Sequence, residues 1–133
     1  MTLTVEDRVT ITDLINRHGH LTDAGDLDGW NELFLPDVVY DVTDLGGGVL
    51  TGLEALWEAT LTPGVAHPVA HHVTNIVLTG TADGRVRALS KGFGVNADGT
   101  VGSVTYEDTV VRGDRGWRIS RRTVRARRVP LIP

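Results

Sequence analysis

The fold is decided by residues 69–127, VAHHVTNIVLTGTADGRVRALSKGFGVNADGTVGSVTYEDTVVRGDRGWRISRRTVRAR. Four runs rich in Val, Ile, Thr and aromatic residues, at about 69–80, 85–96, 100–112 and 116–127, read as strands. They are separated by Asp83-Gly84, Asp98-Gly99 and Gly113-Asp114-Arg115-Gly116, which are hairpin turn signals. Short turns between consecutive strands predict an antiparallel meander.

Upstream of it the periodicity is helical. Over residues 5–22, Ile11, Leu14, Ile15, His18 and Thr22 fall on one stripe, with Thr4 placed to cap the start and Asp7 in the first turn. Gly25 and Asp26 break this helix, and His20 points away from its stripe. Asp26 is placed to cap a second helix with Leu27, Trp30, Leu33 and Phe34 on its apolar face, ended by Pro36. Val38-Val39-Tyr40-Asp41-Val42 is a compact strand, and DLGGGVLTG a flexible connection. Leu53–Leu61 predicts a third helix carrying Leu53, Leu56, Trp57 and Thr60, stopped by Pro63-Gly64. Three helices followed by a meander predict an α+β fold, with the helices on one face of a curled antiparallel sheet. A chain of 133 residues suits a single domain, 1–133, with its own core.

Composition narrows the function. The chain has no cysteine, which excludes disulfides, thiolate nucleophiles and cysteine-based zinc sites. Its net charge of −4 argues against non-specific nucleic-acid binding. No stretch approaches the roughly 20 apolar residues that cross a bilayer, and the N-terminus lacks a signal-peptide pattern; a cytoplasmic location is expected. No metal-ligand spacing, phosphate loop or Gly-x-Ser-x-Gly elbow occurs, so neither a metal nor another cofactor is expected.

The candidate chemistry is acid–base. His71 and His72 open the first long strand and point to opposite faces, and both faces are apolar enough that alternation alone does not choose between them. An imidazole titrates near neutral pH and serves as acid or base when a carboxylate fixes its tautomer. Asp41 shares a strand face with Val39; facing a pocket, it would have a raised pKa. Tyr106 and Asp108 share another strand face, where a phenol could donate to a substrate oxygen. His18 hangs from the inner stripe of the first helix; Trp30, Phe34, Trp57 and Asn75 are candidates for the pocket wall. The arginines from Arg118 to Arg128 read as a solvated outer face or a dimer rim.

The strings INRHGHLTDAGDLDGWNELFLPDVVYDV, GLEALWEA, HHVTNIVL and SVTYEDTVVRGDRGWRI together resemble the SnoaL-like family, over roughly Val5 to Arg125. That family lies in the nuclear transport factor 2-like superfamily, with scytalone dehydratase and ketosteroid isomerase as relatives. The resemblance implies a cone enclosing one deep pocket, and homodimerisation through the outer face of the sheet. It also implies an Asp at the end of the first helix and a His at the start of the strand after the third; Asp23 and His72 match these positions. The Tyr that often precedes that Asp is Thr22 here, and a second pocket His has no match near Ser90. The ketosteroid-isomerase carboxylate falls at or beside Asp41.

The implied activity is a cofactor-free lyase or isomerase, acting as dehydratase, double-bond isomerase or cyclase on a hydrophobic cyclic ketone or polyketide-like molecule. His72 would be the base, Asp23 its partner, and Tyr106 or Asp41 the donor to the enolate. The alternative is a ligand-binding or assembly module of the same fold without turnover. An epoxide hydrolase would need Asp41 and Asp108 on either side of an inward Arg87.

Overall fold

The computed structural model describes residues 2–132. The first helix, α1, spans Val5–Asp23; Thr4 Oγ1 accepts the Asp7 N–H (3.0 Å) and the Asp7 carboxylate accepts the Thr4 N–H (3.3 Å). This reciprocal cap satisfies two amides that the first turn leaves free. Asp7 also takes Arg112 and Trp117 Nε1 on its Oδ1, so the cap ties the helix to the strands behind it.

Six strands follow: β1 (Phe34–Val42), β2 (Gly48–Thr51), β3 (Ala70–Gly80), β4 (Val86–Val95), β5 (Val101–Gly113) and β6 (Gly116–Arg127). The second helix, α2 (Leu53–Leu61), lies between β2 and β3. One curled sheet holds all six strands in the order β2-β1-β6-β5-β4-β3. The expected meander β3–β6 is present, antiparallel throughout, while β1 joins it by a parallel pairing to β6.

The N-terminal half departs from expectation in three places. Among the described residues there are two α-helices, not three: Asp28–Glu32 is a single 3-10 turn, in which Asp26 Oδ1 accepts the Gly29 N–H (3.1 Å). The segment DGWNE is too short and too rich in poor helix formers to propagate an α-helix. Pro36 ends no helix but lies inside β1, where its missing N–H costs no ladder bond. The β1–β6 register jumps between Phe34 and Val39, and pairing with β2 begins only at Val39. The glycine-rich connection contains β2 itself.

The core forms where α1 and α2 meet the sheet. Ile11, Leu14 and Ile15 of α1, Leu53 and Leu56 of α2, and Phe34, Val38, Val86, Val110, Ile119 and Val124 of the strands are all buried. Each such side chain contributes about 1.5–3 kcal/mol relative to its exposed state. No helix among the described residues is long and apolar enough to cross a membrane.

Candidate active site

The end of α1 runs against the start of β3, which is an edge strand of the sheet. Gly19 makes this approach possible: a β-carbon there would lie 2.7 Å from the carbonyl oxygen of His71. One turn later Asp23 meets His71 directly. Its carboxylate accepts the His71 backbone N–H (3.0 and 3.1 Å to its two oxygens), and Asp23 Oδ1 lies 2.6 Å from His71 Nδ1. A carboxylate only accepts, so the proton of this contact belongs to Nδ1. The lone pair of a neutral ring is then on Nε2. Burial pushes the Asp23 carboxyl up, but the hydrogen bonds from the His71 ring and backbone, with the charges of His71 and His72, outweigh it and leave the group below its ordinary value.

His71 lines a cavity of about 970 Å³, large enough for a polycyclic molecule. Its deep wall is formed by His18, Trp30, Tyr40, Tyr106 and Val124, all buried. The His18 ring stacks on Trp30 at 5.9 Å and stands edge-on to His71 at 6.5 Å. Burial first, then the charges of Arg122 and His71, hold its imidazole well below the ordinary value, so it is neutral at physiological pH. Trp30 Nε1 donates to Thr22 Oγ1 (3.2 Å), which lies at 3.5 Å from His18 Nε2.

Beneath this wall lies a buried ion pair. Arg122 Nε and Nη2 donate to the two oxygens of Asp108 at 2.7 and 2.9 Å, and both side chains are sealed from solvent. The guanidinium lies 4.4 Å from the Tyr106 ring centre, a cation–π contact. Gly92 leaves the space that the Tyr106 ring fills. Burial pushes the Tyr106 hydroxyl up to about 12, with neighbouring Tyr40 adding to it. Burial likewise raises the Tyr40 hydroxyl, against the opposing charge of Arg122. Both phenols are therefore O–H donors at neutral pH.

The structure brings His18, Trp30 and Tyr106 to one cavity, with Asp23 behind its wall on His71, and it places others elsewhere. The histidine beside Asp23 is His71, where the resemblance implied His72. The His72 ring lies on the outer face, stacked on Phe93 at 4.7 Å. Asn75, expected in the wall, is exposed with a φ of 55° and forms a bulge in β3. Asp41 does not face the cavity: it accepts the N–H and hydroxyl of Thr43 (3.0 and 2.6 Å) and lies 3.6 Å from Arg121. Those contacts, the Thr43 hydroxyl foremost, lower its pKa, where a raised one was expected.

Phe34 sits behind the wall, edge-on to His18 and Tyr40. Trp57 is turned to the Leu27 carbonyl (3.1 Å) and does not line the cavity. Asp108 is below the wall rather than on it. Arg87 is exposed, so the arrangement required for an epoxide hydrolase is absent. Among the described residues no three His, Asp or Glu side chains converge as a metal-ligand set.

Tyr40 and Arg122 were not anticipated. Tyr40 could have been found from its alternation with Asp41. Arg122 was hidden, because the strand's phase changes before it: Val110 pairs with Ile119 but Thr109 with Arg121, which leaves Ser120 as an extra residue and turns Arg122 inward.

Residues 3–123 match the family described as the SnoaL-like domain. A comparison with curated proteins returned no match. Among solved structures, the chain is similar to a candidate aromatic ring hydroxylase from Novosphingobium aromaticivorans, with 28% identity and a TM-score of 0.76 over 99% of this chain and 94% of that one. It is also similar to LinA, with 20% identity and a TM-score of 0.77 over 96% and 91% of the two chains. A candidate scytalone dehydratase from N. aromaticivorans shares the fold at 18% identity and a TM-score of 0.75, over 93% and 86%.

Proposed function

Because the chain belongs to the SnoaL-like family, and its cavity holds a carboxylate-bound histidine, we propose that it is a lyase or isomerase acting by proton abstraction on a hydrophobic cyclic ketone or polyketide-like molecule. The observation that carries this reading is the 2.6 Å contact of Asp23 with Nδ1 of His71, a residue that lines the cavity; with that nitrogen engaged, the lone pair of a neutral ring is on Nε2. In this mechanism His71 Nε2 takes a proton alpha to the substrate carbonyl, and Asp23 stabilises the resulting imidazolium. The electron pair moves onto the carbonyl oxygen. Tyr106 or Tyr40, each a protonated phenol, donates a hydrogen bond to that oxygen. Return of the proton at another carbon gives double-bond migration. Loss of a beta-hydroxyl, which leaves as water after taking a proton, gives dehydration; attack of the enolate carbon on a second carbonyl closes a ring.

The base is therefore His71, and His72 has no part in this reading. The test is alpha-proton exchange in deuterated water, followed by NMR on a panel of cyclic ketones and beta-hydroxyketones. His71→Ala is expected to lose exchange by about 10²–10⁴-fold, the ordinary contribution of a positioned base. Exchange that persists in His71→Ala would overturn the assignment. Binding of the ketones without exchange by the wild type would instead identify a binding module.

A further inference from the structure

The charge on the cavity is uneven. Among the described residues no aspartate or glutamate lines it, whereas Arg127 and Arg128 are among its lining residues, in a chain whose formal net charge is −4. These two arginines are exposed and share the mouth with Leu45, Val65 and Val101, which are also exposed. Arg128 Nη2 donates to the Asp44 carbonyl (2.8 Å), which fixes that guanidinium at the rim with N–H groups to spare. The Asp44 carboxylate is turned instead to the Ala126 N–H, at 3.3 Å. The Arg127 backbone pairs with Ser103 of β5, but its side chain has no hydrogen-bond or ion-pair partner among the described residues. The deep wall, by contrast, offers aromatic rings, phenols and a neutral histidine, and no net charge.

We propose that the cavity takes an amphiphile: an apolar, ring-sized body against the deep wall, and one anionic group, a carboxylate or its like, left at the mouth between Arg127 and Arg128. Low-dielectric walls focus the field of charges at a mouth and raise the local concentration of a counter-charged ligand. The arrangement also sets polarity within the cavity. An anion held at the rim sends the opposite end of the molecule toward His71 and Tyr106. This inference rests on the reading that a hydrophobic small molecule enters the cavity, and not on turnover at His71.

The test compares two fluorescent probes with one ring skeleton, the anion anilinonaphthalene sulfonate and uncharged N-phenylnaphthylamine. They are titrated into the wild type, Arg127→Gln, Arg128→Gln, the double variant, and Arg87→Gln as an exposed arginine away from the mouth. The sulfonate is expected to bind more tightly than the neutral probe. Each mouth substitution should lower its affinity by up to about fivefold, the effect of an exposed charge pair. Arg87→Gln and the neutral probe should show no such loss, and added salt should shrink the sulfonate's advantage. Equal affinity of the two probes for the wild type, or the same loss in Arg87→Gln, would overturn the proposal. If neither probe bound, the apolar cavity reading itself would fall, and this inference with it. A sulfonate preference retained in His71→Ala would keep the inference standing even if no proton exchange were ever seen.

Discussion

Asp23 takes both hydrogen-bond donors of a single residue, the backbone N–H and the ring Nδ1–H of His71. The pair is therefore aligned by main chain as well as side chain, and the ring is held in one tautomer. Asp23→Asn removes the negative charge that would stabilise the imidazolium. It is expected to lower the rate of alpha-proton exchange by on the order of a hundredfold or more, mostly in kcat. An Asp23→Asn rate within a factor of about two of the wild type would show that the carboxylate only positions the strand. Below the wall, Asp108→Ala would strand a buried guanidinium with no counter-charge. A cost of about 3–5 kcal/mol is expected, read as a lowered urea midpoint. Arg122 and Asp108 changed together to apolar residues should recover much of it.

At the scale of the element, α1 and β3 meet over Gly19, and the dyad depends on that closeness. Gly19→Ala is expected to push the helix off the strand, at about 1–3 kcal/mol of stability, and to lengthen the Asp23–His71 contact. The check is a thermal melt beside the NMR signal of the His71 Nδ1 proton, which should move or broaden in the variant. Two bulges explain what was and was not legible in the sequence. The strands of the meander could be placed closely, because turn residues and β-branched runs mark them locally. Which way their side chains point could not, because one extra residue reverses the alternation beyond it. Asn75 does so in β3, so that Ile76 and Leu78 share the inner face with His71 and not with His72. Ser120 does so in β6, bringing Arg122 inward. Asn75 carried a signal, since asparagine tolerates positive φ better than most residues; Ser120 carried none. The short β2 escaped notice because it follows a run of glycines.

For the whole molecule, the buried neutral His18 couples folding to pH. Its folded pKa lies well below 6.5, the ordinary value that the unfolded chain retains. The unfolded state therefore binds a proton that the folded state excludes. The stability this group confers is complete above pH 6.5 and is lost as the pH falls below it, at up to about 1.4 kcal/mol per pH unit. Asp7, Asp23 and Asp41, whose carboxyls are also lowered in the fold, add the same sign of loss only toward their ordinary value of 3.8 and below. Urea midpoints measured between about pH 7 and pH 5 should thus fall in the wild type and stay flatter in His18→Gln; parallel slopes would place the effect elsewhere. The edge position of β3 has a consequence of another kind. An edge strand offers unpaired amides on which another chain can grow a strand. Here the first such amide is stoppered by Asp23, and the bulge at Asn75 breaks the straight run beyond it. The carboxylate that holds the His71 ring thereby also occupies the point on this edge where a strand from another copy would begin to pair.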